Sequence, residues 1–390
     1  MWRRLSVLDW IRVGLLALGL IFVATGWLPL NVATGKLDDI APLLLFLVAV
    51  IVLAELTKEA QVFDAIAARM AVLGRGSYAA LFFLSTAFAS FVTIFLNLDT
   101  TAVLLTPVML ALALRTGIAA VPLAMTTIWL ANTASLLLPV SNLTNLLAMN
   151  TLQMSNREFA GYMWAPQAAA IAVTMLFLWV FFWRRGRRRE ARYTPPVLEP
   201  IADRVVFWAA AGACAWFIAA LMLDQHVAVA ATSAALIVVV AFFVRDRGKL
   251  TWSLIPWQLI IFVTGLFLVV PALSLHGLDA VMAWMIGDGD NAYRTAAVGA
   301  GLSNVINNLP AYQALEGVAE RGELLAVLVG TNVGPVVTPW ASLATLLWFE
   351  SCRRHEVRVP MTRFLATGAV LAVTALAASV WALSWGGVFV

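Results

Sequence analysis

Long apolar runs separated by short polar punctuation set the pattern of this chain. They cover residues 8–30, 39–56, 78–95, 102–114, 160–183, 205–223, 227–244, 254–273 and 364–385. Most approach the roughly 20 residues that a helix needs to cross a bilayer. Two shorter stretches, 61–73 and 278–286, are amphipathic and read as interfacial helices. The pattern predicts an all-α membrane protein.

Two further apolar segments are interrupted in the same way. Residues 132–147 read NTASLLLPVSNLTNLL, and 200 positions later residues 332–347 read NVGPVVTPWASLATLL. In register, Asn132 matches Asn332, Pro139 matches Pro339, and Leu143, Leu146 and Leu147 match Leu343, Leu346 and Leu347. Each copy breaks at a proline and carries small hydroxyl and amide side chains just after it. A broken helix in lipid frees backbone groups that must meet protein, water or a ligand. Paired interruptions in the two halves of a hydrophobic chain point to the binding site of a transporter.

A second pair of polar features lies before each break. Leu96-Asn97-Leu98-Asp99-Thr100-Thr101 separates residues 78–95 from 102–114, and the latter is short for a crossing and contains Pro107. In the second half Asn307-Asn308-Leu309-Pro310 separates 296–306 from 311–318. Both read as re-entrant hairpins with polar tips, Asn307 corresponding to Asn97. The expected organisation is an inverted-repeat transporter with two re-entrant hairpins and two broken transmembrane helices. The first repeat spans 1–183, with a cytoplasm-facing hairpin at 78–114 and a broken helix at 118–153. The second spans 202–390, with an outward-facing hairpin at 293–320 and a broken helix at 323–349. The order of features repeats but the spacing does not.

Composition agrees. The chain is 62% hydrophobic and only 12% charged, against about 25% charged for a soluble domain, and mean hydropathy is +0.91. The net charge of +4 sits in short loops, above all the basic run 184–192 inside a linker at 184–201. That placement follows the positive-inside rule and marks the cytoplasmic side of a cell inner membrane, with anionic lipid rather than nucleic acid as the partner. Two cysteines and three scattered histidines offer neither a disulfide framework nor metal-ligand spacing. No phosphate loop or nucleophile motif supports a membrane-embedded enzyme, and no cofactor is expected.

Asp99 is the one carboxylate inside a polar tip, where an ionisable group is expensive and functional by default. It also suits the N-cap region of the helix that follows. The candidate substrate- and ion-binding residues are Asn97, Asp99, Thr100, Thr101, Asn142, Thr144, Asn145, Asn307, Asn308, Thr338, Ser342 and Thr345. Their amides and hydroxyls suit a neutral polyhydroxyl species. No arginine lies in the motifs to pair with a substrate carboxylate. Transport then draws on an ion gradient, with Asp99 as proton carrier; sodium held by tip carbonyls is the alternative.

The stretches FLNLDTTAVLLTP (95–107), NNLP (307–310) and GPVVTPWASLATLL (334–347) resemble the arsenical-pump membrane protein family, the arsenite/antimonite efflux permeases of the ion transporter superfamily. That superfamily also holds sodium-coupled dicarboxylate carriers and sodium/proton antiporters. The resemblance implies proton-coupled export of arsenite or antimonite, with a transport domain moving against a scaffold. A sodium- or proton-coupled carrier of dicarboxylates or other small anions is the alternative. A cytoplasmic ATPase subunit and a homodimer are the protein partners it leaves open.

Overall fold

The computed structural model describes residues 7–184, 192–287 and 291–385. The core of the basic run, residues 185–191, lies outside them. Helices α1 (Val7–Ala24), α2 (Leu30–Glu59), α3 (Val62–Leu73), α4 (Tyr78–Leu96), α5 (Leu98–Thr116), α6 (Ala120–Thr133), α7 (Leu143–Leu152) and α8 (Asn156–Trp183) precede the linker. After it come α9 (Arg204–Met222), α10 (Val227–Arg245), α11 (Trp257–Ile286), α12 (Ala292–Ile306), α13 (Asn308–Glu316), α14 (Arg321–Val333), α15 (Leu343–Arg354) and α16 (Met361–Ser384). No strand forms among the described residues beyond an isolated bridge between Ser77 and Arg192. By length and composition α2, α4, α5, α8, α9, α10, α11 and α16 can each cross a membrane. The chain is a multi-pass membrane protein of the cell inner membrane, as its apolar runs predict.

Two groups of helices pack mainly within themselves. One holds α1, α2, α9, α10 and α11; the other holds α4–α8 with α12–α16. In the first, α1 lies along α11 at backbone distance. A Cβ on Gly265 would stand 2.6 Å from the Leu16 amide nitrogen, so only glycine lets these helices approach so closely. In the second, α6 and α14 are central. Pro122–Thr133 and Glu323–Val333 are buried on every face. Their hydroxyls turn inward on the helix itself: Thr126, Thr127, Thr133 and Thr331 each donate to the carbonyl four residues back. That satisfies them without a neighbour. Indoles clamp α6, with Trp348 Nε1 donating to Ala124 O at 2.9 Å and Trp183 Nε1 to Thr126 Oγ1 at 2.9 Å.

Helix α11 runs on through the stretch 278–286 that the sequence pattern sets apart, bending at His276 and Gly277, and α2 and α5 start earlier than that pattern predicts. Helix α2 starts at Leu30 rather than near residue 39 and runs through Pro42 for 30 residues. At 1.5 Å per residue that is about 45 Å, more than a hydrocarbon core of about 30 Å. Its first turns, carrying Lys36 and Asp39, therefore stand at the end of the molecule away from the basic loops. Helix α5 begins directly after Asn97, where the apolar run suggested a start at 102. A π turn at Thr101–Leu105 leads into Pro107, and its wider spacing absorbs the amide that proline lacks.

Candidate functional site

Both chain breaks fall where the repeated motif placed them. Helix α6 ends at Thr133 and α7 starts at Leu143; α14 ends at Val333 and α15 starts at Leu343. The intervening residues, 134–142 and 334–342, are not α-helical; the first break is almost wholly buried and carries a single 3-10 turn at Pro139–Ser141, while the second is buried except around Trp340, and their backbone groups need partners. Gln167 on α8 serves the first break. Its Oε1 accepts from Leu136 N at 2.7 Å and Leu137 N at 3.0 Å, and its Nε2 donates to Thr133 O at 3.1 Å. Asn304 on α12 does the same for the second, accepting from Thr338 N at 3.0 Å and donating to Gly334 O at 2.8 Å.

The tips Asn97 and Asn307 share one backbone state, with φ of 115° and 104°. This is a region costly for non-glycine residues, kept where surroundings enforce it and frequent at functional sites. Each asparagine caps the helix it precedes: Asn97 Oδ1 accepts from Thr100 N at 2.8 Å, and Asn307 Oδ1 from Leu309 N at 3.3 Å. Each tip is also tied to a break. Ser141 Oγ donates to Ile94 O at 2.9 Å, Asn307 Nδ2 to Trp340 O at 3.0 Å, and Asn308 N to Ala341 O at 2.9 Å. Asn142 and Ser342 cap α7 and α15 in turn.

As a result, four helix N-termini, those of α5, α7, α13 and α15, meet at one small cavity of about 40 Å³. Its lining includes Asn97, Leu98, Asp99, Asn142, Leu143, Asn307, Asn308, Leu309 and Leu343, closed by Phe46 and Leu47 of α2 and Leu259 and Phe262 of α11. Among the described residues Asp99 is the only ionisable side chain in that lining. A water needs about 10–15 Å³ on this measure, so the space fits a ligand the size of a few waters. Converging N-termini present amide donors and the positive ends of helix dipoles.

Beside the cavity lies a buried knot of amides and hydroxyls from both breaks. Asn332 Oδ1 accepts from Thr144 Oγ1 at 2.7 Å and from Asn142 Nδ2 at 3.0 Å, while its Nδ2 donates to Asn145 Oδ1 at 2.7 Å. Its counterpart Asn132 is served far less well. Its Nδ2 donates to Ile128 O at 3.1 Å and reaches Thr345 Oγ1 only at 3.5 Å, and its buried Oδ1 has no hydrogen-bond partner. The register explains the difference: the position of Thr144 is held in the second half by Ala344, which has no hydroxyl to give.

Two larger clefts flank the cavity. One of about 490 Å³ opens toward the end carrying the basic loops. It is lined by Arg12, Glu55, Asp99, Thr100, residues 253–259, Leu343 and Leu347, so it shares Asp99, Leu259 and Leu343 with the cavity. The other, about 430 Å³, lies toward the opposite end beside Lys36, Asp39, Thr151 and Glu316, and shares no lining residue with the cavity.

Of the twelve residues singled out in the sequence, Asn97, Asp99, Asn142, Asn307 and Asn308 line the cavity, and Thr100 lines the basic-end cleft. Thr144, Asn145, Ser342 and Thr345 belong to the knot. Thr101 bonds to Asn97 O and Thr93, and Thr338 to Asn304; neither lines the cavity. Sequence reading missed Gln167, Asn304, Arg12 and the knot's pivot Asn332. A signal existed for Asn332, which stands in register with Asn132, and for Arg12, a charge early in the first apolar run.

This assembly of broken helices and capped tips fits a membrane transporter, and the family and relatives place it in the ion transporter superfamily. The chain belongs to the citrate transporter family, CitMHS, whose model matches residues 4–323. It is similar to the arsenical pump membrane protein of Escherichia coli strain K12, with 28% identity over 369 residues, 86% of this chain and 84% of that protein. The protein of the same name from Yersinia enterocolitica is 28% identical over 371 residues with the same coverage. Among solved structures, the fold is similar to the YdaH transporter of Alcanivorax borkumensis, with TM-score 0.57, 16% identity and 98% of both chains covered.

Proposed function

We propose that the protein is a secondary active transporter exporting arsenite and antimonite in exchange for protons. The observation that carries this reading is the cavity itself. It is small, lined by amides from both halves, and holds Asp99 as its single ionisable group. Arsenite near neutral pH is a compact pyramidal trihydroxide, which both gives and accepts hydrogen bonds. The amides of Asn97, Asn142, Asn307 and Asn308 match it, and so do the helix N-termini. The relatives named arsenical pump membrane protein support the same substrate. Neither cysteine takes part: Cys214 and Cys352 lie on α9 and α15, outside the cavity lining. A thiolate would hold arsenic too firmly for turnover.

The two clefts support alternating access as the mode of transport. With the basic end cytoplasmic, continuity of the cavity with the 490 Å³ cleft describes an inward-facing state. The hairpins α4–α5 and α12–α13 are re-entrant, and they carry the site outward together with the broken helices, past α1, α2 and α11. In the inward state arsenite enters and Asp99 releases its proton; in the outward state arsenite leaves and Asp99 is protonated again. A cytoplasmic ATPase subunit or a second copy would add to this route without replacing it.

One observation favours a second reading. Four helix N-termini suit an anion, and the family model is that of citrate transporters. Against it, a tricarboxylate is far larger than about 40 Å³, and the lining offers no cation to neutralise it. Expression in cells stripped of their own arsenite exporters tests the proposal. Lowered arsenite accumulation supports it, whereas unchanged arsenite with altered citrate or dicarboxylate uptake hands the assignment to the second reading.

A further inference from the structure

Arg12 lies in the second turn of α1 and is 7% exposed. A guanidinium stays charged in any protein environment, and an intramembrane charge is functional by default. Its position is fixed from two helices. Nη1 donates to Asp9 Oδ1 at 3.1 Å on its own helix and to Gln258 Oε1 at 2.7 Å on α11. The other guanidinium nitrogens have no hydrogen-bond partner among the described residues. The side chain lines the basic-end cleft together with Asp99 and Thr100.

Helix α1 brings Arg12 to that cleft, with Asp9 bridged to it. Helix α2 brings Glu55, itself 4.0 Å from Lys58, and α5 brings Asp99. The stretches of α11 and α15 in the lining bring none. Among the described residues Arg12 is thus the single cation in the lining of the cleft through which Asp99 meets the basic end.

We infer that Arg12 is a positioning residue for coupling: a fixed counter-cation that Asp99 faces only while the site opens to the cytoplasm. There the guanidinium favours the carboxylate, so the acid form of Asp99 loses its proton to water in the cleft. When the site turns outward, Arg12 stays behind on α1, and the carboxylate takes a proton from the other side. Exchange is tight only if proton affinity differs between the two states, and this arrangement supplies that difference. The inference rests on the proposed proton-driven exchange and names the group that makes it directional.

The test uses the full-length protein in detergent and in proteoliposomes, with Arg12→Gln, Arg12→Lys and Arg12→Met. Infrared titration follows the Asp99 carboxyl band, assigned by its absence in Asp99→Asn, with no substrate present. In Arg12→Gln the pH at which the band disappears is expected to rise by about one unit, a tenfold change in proton affinity. Arg12→Lys should stay near the parent. Arg12→Met, of similar length and uncharged, repeats the experiment should Arg12→Gln fold poorly. Proton-driven arsenite accumulation should fall in both uncharged variants while downhill exchange persists. An unchanged Asp99 titration in a folded, uncharged variant overturns the inference. Because the infrared readout needs no substrate, it decides the role of Arg12 even if arsenite proves not to be the cargo.

Discussion

The two central asparagines stand at equivalent positions, yet the structure gives them unequal work. Truncating Asn332 to alanine removes four hydrogen bonds of its side chain, three to side chains at 2.7, 2.7 and 3.0 Å and a longer one to Ser135 O at 3.4 Å. It strands Thr144 Oγ1 and Asn145 Oδ1 and leaves Asn142 Nδ2 a long 3.5 Å contact with Ser135. A buried polar group without a partner costs about 1–3 kcal/mol, so the loss is about 3–6 kcal/mol after partial relaxation. Asn132→Ala removes one bond at 3.1 Å and also deletes an acceptor that already lacks a partner; the two effects nearly cancel, leaving about 0–1 kcal/mol. Thermal unfolding of the detergent-solubilised variants, followed by tryptophan fluorescence, should place Asn332→Ala several degrees below the parent and Asn132→Ala close to it. Equal losses at the two positions would refute the claim that Ala344 leaves the second half of the knot open.

Three further outcomes are expected. Asp99→Asn should leave the protein folded and able to exchange substrate downhill, but without proton-driven accumulation; retained uphill transport with unaltered pH dependence would reduce Asp99 to a helix-start residue. Gln167→Leu removes the acceptor of two buried amides in the first break and should cost about 2–4 kcal/mol, read as a lowered midpoint in the same unfolding assay. On the basic end, the hydrogen bond from Arg245 Nε at 2.9 Å holds Asp203 below the ordinary carboxylate range. Its contribution is therefore present above that range and is lost as pH falls through the folded-state value; Asp203→Asn should flatten the acid limb of the stability profile, and an unchanged limb would contradict this.

Much of this was legible in the sequence because period and punctuation encode it. Runs of apolar residues set the spans, and prolines 139 and 339 with their in-register neighbours set the breaks. The tips Asn97 and Asn307 were legible as polar interruptions between two apolar arms. What the sequence hid depends on distance through space. Gln167 lies on a helix with no motif around it, and its role exists only because α8 packs beside residues 133–137. Arg12 acts across a cleft on a residue far along the chain. The cap of α5 lies two residues before the one the sequence offers at Asp99: Asn97 is the cap, and Asp99, Thr100 and Thr101 are already helical. Pairing Asn332 with Thr144 rather than its own half follows from two breaks crossing at the centre, which register alone does not reveal.

The most direct test is uptake by the purified protein in sealed proteoliposomes carrying an imposed pH gradient, with arsenite and citrate compared at equal concentration. The account predicts that arsenite accumulates against its gradient, that accumulation collapses when the pH gradient is dissipated, and that citrate neither accumulates nor competes. Citrate accumulation with no arsenite movement would contradict it.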